Sequence, residues 1–142
     1  MTDRQVSYRR FHRRDWDKVR QFLLGEGEAP ERLPRILAAE DTVAWLAVDE
    51  GDVVGWILTY PLLAEDRVER GGVENLVVAR SHRRRGIGRR LLELTEAYYG
   101  RKGLAGMQLT VRADNPPARR LYEAMGYQIV QRRLRLWKQF DQ

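Results

Sequence analysis

A short turn rich in arginine and glycine, Arg83-Arg84-Arg85-Gly86-Ile87-Gly88, separates a run of β-prone apolar residues at 73–79 from a stretch of helical periodicity over 86–101. A strand that passes through two glycines directly into a helix restricts the architecture more than any other feature of the chain. The strand is apolar almost throughout, which predicts burial on both faces and a place in the middle of a sheet. The following stretch puts Ile87, Leu91, Leu94, Thr95 and Tyr98 on one face, which predicts a helix packed against that sheet. Glycines let the backbone curl without Cβ clashes, so consecutive amides can point into a concavity at the helix N-terminus, where the dipole favours negative charge. Such a cradle suits a pyrophosphate, and flanking arginines add charge-assisted contacts to further phosphates. Taken alone, a Gly-x-Gly is more often a solvated basic turn at a helix start, so its context must decide.

The context is a chain of 142 residues with 43% hydrophobic content, the size of one domain with a core of its own, and residues 1–142 read as a single α/β domain. No cysteine is present, which excludes a disulfide scaffold, a thiol nucleophile and thiolate metal sites. With His12 and His82 the only histidines, no metal is expected. The first residues are polar and arginine-studded, and the longest uncharged stretch, 53–64, carries a proline; neither a signal peptide nor a membrane span is predicted, and the expected location is cytoplasmic. The formal net charge of +6 favours anionic partners without choosing among them. A nucleic-acid binder is disfavoured, because no aromatics interleave the arginine turn and no helix-turn-helix or RNA-binding signature is present.

Along the chain, residues 6–11 suggest a first strand, and Asp15 is placed to cap a helix carrying Trp16, Val19, Phe22 and Leu23. A Gly- and Pro-containing loop over 25–34 leads to a short helix near 35–39. Residues 42–49 and 53–60, joined by Glu50-Gly51-Asp52, predict an antiparallel hairpin, and 61–72 a polar loop. A strand at 107–111 follows, then Asn115 as N-cap with Pro116 in the first helical position, and a last helix with Ala118, Leu121, Tyr122 and Met125 on its inner stripe, stopped by Gly126. In the tail, Val130, Leu134, Leu136 and Phe140 alternate with arginines, which predicts one long strand or a tight pair.

The arginine turn fits neither a P-loop nor a full dinucleotide-binding fingerprint. It resembles the Arg/Gln-x-x-Gly-x-Gly/Ala signature of the GCN5-related N-acetyltransferases, whose loop holds the pyrophosphate of acetyl-coenzyme A. Asn115, Ala118, Leu121, Tyr122, Gly126 and Tyr127 match a second segment of that family, Asn-x-x-Ala-x-x-Leu-Tyr-x-x-x-Gly-Tyr/Phe, in register with the first. The order of strands and helices is similar too. The resemblance implies a mixed, mostly antiparallel twisted sheet of six to seven strands flanked by about four helices. It also implies acetyl-CoA as co-substrate and an amine acceptor, either a small molecule or a protein N-terminus. Leu76, Val77 and Val78 would then lend backbone groups to the pantetheine arm, between the strands at 73–79 and 107–111. Arg83, Arg84, Arg85, Gly86, Ile87, Gly88 and Arg89 would serve the phosphates, Asn115 the cofactor arm, and Tyr122 the thioester sulfur.

Chemistry speaks for Tyr122 on its own account. An amine attacking a thioester expels a thiolate, and a phenol with a pKa of about 10 can donate a proton to it. The plainer role is that of a core tyrosine on an apolar stripe. An alkylammonium acceptor must also lose a proton, and Glu74, charged and next to the bulge-prone run Asn75-Leu76-Val77-Val78, is the candidate base. Its alternatives are a strand-end carboxylate paired with an arginine, or a base role taken by water. Residues 111–115 resemble ribosomal-protein N-terminal acetyltransferases, which carry a glutamate where this chain has Thr110. His82 and His12 are expected to be solvent-exposed. Glu26, Glu28, Glu31, Glu65, Asp66 and Glu69 fall on two loops that flank the acceptor side in the family. With no cysteine and no nucleophile elbow, acyl transfer would be direct, in a ternary complex. The rival reading is a module that binds acyl-CoA without turnover, and a homodimer is left open.

Overall fold

The computed structural model describes residues 5–141, which form two compact units, residues 5–110 and 111–141. In the first unit, β1 (Ser7–Arg10) leads through a 3-10 turn to α1 (Trp16–Gly25), and a second turn leads to α2 (Leu33–Leu37). Then come β2 (Val43–Asp49), β3 (Asp52–Leu63), β4 (Glu69–Val78), α3 (Ile87–Arg101) and the two-residue β5 (Met107–Gln108). The sheet has the order β1-β2-β3-β4-β5, antiparallel except for the parallel β4–β5 pair.

The centre of the sheet is β3, not the strand at 73–79 that the apolar run predicts. Residues Val54 to Thr59 are all buried, because alternate side chains meet a helix on each face. Trp56 and Leu58 pack with Val19 and Leu23 of α1, together with Leu46 of β2 and Val77 of β4. On the opposite face Thr59 shares a hydrogen bond with the Tyr99 hydroxyl of α3 at 2.9 Å, while its own hydroxyl lies 2.8 Å from the Val43 carbonyl. Each fully buried leucine or isoleucine in these layers stabilises the fold by roughly 1.5–3 kcal/mol. Gly55 sets the approach of α3. A Cβ there would lie 2.9 Å from Ile87 Cγ2 and 3.2 Å from Leu91 Cδ1, so any side chain would push the helix off the sheet. The buried stripe of α3 is Ile87, Leu91, Leu92, Thr95 and Tyr99, rotated slightly from the stripe read by periodicity.

Several expectations are corrected. The predicted loop over 61–72 shrinks to residues 64–68, because β3 and β4 extend their ladder outward through Pro61↔Gly71 to Leu63↔Glu69. Asp15 holds the N-cap position of α1 but makes no cap bond. Its carboxylate instead accepts two bonds from the Arg9 guanidinium, both 2.8 Å, and one from the His12 N–H at 2.8 Å.

In the second unit Asn115 caps α4 (Pro116–Ala124), its Oδ1 accepting from the Ala118 N–H at 3.3 Å. Gly126, at φ +91°, ends the helix, and the Tyr127 N–H returns to the Tyr122 carbonyl at 2.9 Å. That closure brings the Tyr122 and Tyr127 rings edge to face, centroids 5.8 Å apart, which gives a local reason for the Leu-Tyr-x-x-x-Gly-Tyr pattern. The tail forms no strand among the described residues. Val130, Leu134, Leu136, Trp137 and Phe140 are exposed. The α/β class and the mixed, mostly antiparallel sheet stand, but among the described residues the sheet has five strands where six to seven are expected. Alternation marks a segment that can be a strand, whereas a strand exists only where a neighbour takes up its N–H and C=O groups.

Candidate active site

The candidate site begins where β4 loses its neighbours. Across β3, Leu58 pairs with Asn75 and Thr59 with Val73, so Glu74 is the extra residue of a β-bulge. A bulge bends its strand and re-aims the side chain it carries. On the other side β5 pairs only at Gly71↔Met107 and Gly72↔Gln108, and residues 73–78 run on beyond it. The two parallel strands therefore separate where β4 bulges, leaving main-chain groups of β4 outside any ladder on that side.

A cavity of about 240 Å³ opens at this separation, lined by Tyr60 and Leu62 of β3, Val73 and Glu74 of β4, and residues 108–110. Glu74 is exposed to it and Tyr60 is half-buried. Burial raises the Tyr60 phenol above its ordinary value, and the negative charge of Glu74 adds to the rise. Tyr60 and Gln108 are not legible as site residues in the sequence, and Thr110 is marked there only as the position where the ribosomal-protein acetyltransferases carry glutamate. Tyr60 sits where the predicted strand ends before Pro61, and only the extended hairpin brings it onto the cavity wall.

Leu76, Val77 and Val78 carry β4 onward from the bulge, paired with Ile57, Trp56 and Gly55 of β3. A 3-10 turn over Arg80–His82 follows, and then the arginines. Arg84 at φ +65° and Gly86 at φ +78° both adopt the left-handed conformation, and Gly86 is the N-cap of α3. Left-handed residues at a helix start turn successive N–H groups toward a common point, the arrangement that holds oxyanions. Arg83, Arg84, Arg85 and Arg89 are exposed around it, Ile87 is buried beneath, and Gly88 is half-buried. Arg83 Nε approaches the Val78 carbonyl at 3.4 Å, and Arg89 approaches Glu93 at 3.7 Å along the helix. A β4 edge without a strand partner, continued by a basic turn of this shape, is the surface an extended arm ending in phosphates requires, so these residues fit a coenzyme A.

His82 is not exposed as expected. Its side chain is 16% accessible, with Nε2 2.8 Å from Asp49 Oδ2 and Nδ1 2.7 Å from Ser81 Oγ. His12 is exposed. Asn115 and Tyr122 belong to the second unit, where Asn115 spends its side-chain oxygen on the helix cap and Tyr122 is half-buried on α4. Burial raises the Tyr122 phenol above its ordinary value. No helix among the described residues is long and apolar enough to cross a membrane.

The chain is similar to known proteins in sequence and in fold. Over 93 residues the chain is 31% identical to the uncharacterized N-acetyltransferase YhfO of Bacillus subtilis (strain 168), a match covering 65% of this chain and 62% of that protein. The chain thus matches somewhat under two thirds of that relative's length. The structure resembles AAC(6')-Iy in complex with a bisubstrate analogue, CoA-S-monomethyl-acetylneamine, with a TM-score of 0.80 at 18% identity over 96% of this chain and 99% of that one. It also resembles a ribosomal-protein-alanine N-acetyltransferase from Brucella melitensis biovar Abortus 2308, with a TM-score of 0.77 at 20% identity over 94% and 99% of the two chains. At these identities the two structures speak for the fold. The model of the acetyltransferase (GNAT) family matches residues 7–127, from the first strand through both sequence segments and into both units, and the chain belongs to that family.

Proposed function

We propose that the protein is an acetyl-CoA-dependent N-acetyltransferase that acetylates a primary amine by direct attack in a ternary complex. The observation that carries this reading is the bulge at Glu74, beside a cavity at the point where β4 and β5 part, on the same strand that runs into the left-handed turn at Gly86. A carboxylate at the edge of a solvent-reached cavity thus lies on β4, and the basic turn follows that strand after the 3-10 turn at Arg80–His82. The complexes of AAC(6')-Iy with CoA and with a CoA–aminoglycoside analogue support both the co-substrate and the amine class.

In this reading Leu76, Val77 and Val78 offer main-chain groups to the pantetheine arm. The amides of residues 84–88 and the side chains of Arg83, Arg84, Arg85 and Arg89 hold the phosphates. Acetyl-CoA supplies the acyl group as a thioester, activated for attack by an amine. Glu74 accepts the proton that an alkylammonium must lose before its nitrogen can attack. The cavity wall opposite bears Thr110, where the ribosomal-protein acetyltransferases carry glutamate, so Glu74 supplies from β4 the carboxylate that this chain lacks at 110. The role of proton donor to the departing thiolate comes to Tyr122 from the family resemblance, and burial, which disfavours the phenolate, keeps its proton in place through the neutral range. No cysteine is present to carry the acetyl group, which favours direct transfer over a covalent enzyme intermediate.

The test is a transfer assay with acetyl-CoA against aminoglycosides, polyamines, amino acids and N-terminal peptides, in the wild type and in Glu74→Gln. Turnover with at least one amine is expected. Glu74→Gln should leave only a rate that climbs toward alkaline pH, where free amine is already present. Binding of coenzyme A without turnover on any amine would favour the acyl-CoA-binding module instead. Wild-type kcat/KM in Glu74→Gln from about pH 6 to 9 would remove Glu74 as base and leave the proton to ordered water.

A further inference from the structure

The turn over Arg80–His82, immediately before the arginines, is tied down from two separate elements. The Arg80 N–H donates to Glu26 Oε1 at 2.9 Å, and Glu26 is the C-cap of α1. His82 Nε2 lies 2.8 Å from Asp49 Oδ2, on the last residue of β2. Asp49 is one of few buried charged side chains, 8% exposed, so its carboxylate needs a donor, and the imidazole N–H supplies it. The other ring nitrogen, Nδ1, lies 2.7 Å from the Ser81 hydroxyl, so the ring is held at both nitrogens. The backbone adds two bonds, Ala79 N–H to the Val54 carbonyl and His82 N–H to the Ala79 carbonyl, each 2.9 Å. Two residues further on, Arg84 is held at φ +65°, an unfavourable conformation for a non-glycine residue that persists only where the surroundings impose it.

We infer that His82, held between Asp49 and Ser81, is a positioning residue that presets the cofactor turn for pyrophosphate, with the Glu26 contact to Arg80 as the second arm of the same clamp. The inference rests on the cofactor reading above and adds to it a residue that touches no substrate. His82 fixes where the chain leaves β4, and the exit point fixes where the amides of residues 84–88 converge. A phosphate cradle must be held to within about half an ångström to keep its affinity. Its effect should therefore fall on coenzyme A binding rather than on the chemical step.

The experiment compares wild type, His82→Ala, His82→Gln, Asp49→Asn and Glu26→Ala in three measurements: calorimetric titration with coenzyme A, steady-state kinetics, and hydrogen exchange of the Arg90 amide, which bonds the Gly86 carbonyl at 2.9 Å. His82→Ala should weaken coenzyme A binding on the order of tenfold and raise the KM for acetyl-CoA in parallel, with kcat at saturation within about twofold of wild type. Glutamine can still donate to Asp49, so His82→Gln should recover most of the affinity, and Asp49→Asn and Glu26→Ala carry the test if the alanine variant fails to fold. Arg90 exchange should quicken in His82→Ala and Asp49→Asn, even without ligand. Glu26→Ala should weaken coenzyme A binding in the same sense. If wild type binds coenzyme A and His82→Ala binds it equally well, or Asp49→Asn and Glu26→Ala do where the alanine variant fails to fold, the inference is overturned while the cofactor reading survives. If wild type does not bind coenzyme A, the cofactor reading falls and the proposed purpose of the clamp falls with it. Unchanged Arg90 exchange in His82→Ala and Asp49→Asn would also overturn the clamp, whatever the titrations give.

Discussion

The indole N–H of Trp56 donates to Asn75 Oδ1 at 2.9 Å, a diagonal bond from the buried centre of β3 to the residue next to the Glu74 bulge. Trp56 is fully buried, so its one polar atom has to find an acceptor within the protein. Asn75 provides it, and in doing so pins β4 at the point where the strand departs from regular pairing. Asn75→Leu should strand the indole N–H and cost about 1–3 kcal/mol in urea unfolding. In a Trp56→Phe background the same change should cost much less. Equal costs in the two backgrounds would show that the bond does not hold the bulge.

Tyr122→Phe tests the leaving-group role. Removing the hydroxyl should lower kcat by roughly one to three orders of magnitude and leave the KM for acetyl-CoA nearly unchanged, as expected of a group that acts in the transition state. Because burial lifts the phenol above its ordinary value of 10.0, the fall of the wild-type kcat on the alkaline side should lie above pH 10. That limb should be absent from the residual activity of the variant. Parallel losses in binding and turnover would mark Tyr122 as structural.

Gly86→Asp tests the turn. The residue sits at φ +78° with open space around its Cα, so the substitution brings backbone strain and a carboxylate, not a clash. The wild type should melt at a higher temperature in millimolar coenzyme A, and the variant should show no such shift, because negative charge now occupies the place meant for phosphate. An identical shift in both proteins would move the phosphate site elsewhere.

Asp15 gives a stability prediction independent of function. Hydrogen bonds from the Arg9 guanidinium, foremost, and from the His12 N–H pull its carboxyl from 3.8 down to about 2. The folded value lies below the unfolded one, so the contribution is fully present above about pH 4 and drains away as pH falls toward 2. It is worth at most about 2 kcal/mol, and less in salt, since Arg9 is half exposed. Asp15→Asn should destabilise the protein at pH 7 and lose most of that penalty by pH 2, as read by thermal unfolding across that range. A penalty that does not change with pH would assign the loss to packing.

The local motifs were legible in the sequence because short-range chemistry determines them. Gly86 at the head of α3, Asn115 with Pro116 at the head of α4, Gly126 at its end, and the hairpin around Gly51 each depend on neighbours a few residues away. The two family segments are built on these same positions, so family and co-substrate class could be read from them. Glu74 was singled out as a charge beside an apolar run, but its place as the bulged residue follows from a register slip between β3 and β4, which sequence periodicity does not encode. The same limit hid β3 as the true centre, since a strand sandwiched between α1 and α3 reads much like any other apolar run. Only tertiary structure brought Asp49 to His82 and Glu26 to the Arg80 N–H, across 33 and 54 residues of chain. Tyr60 reached the cavity wall because the hairpin ran on past Pro61, and the tail at 127–141 formed no strand despite its alternation. In each case the deciding quantity is a pairing between distant segments, and a hydrogen-bond ladder belongs to both partners at once.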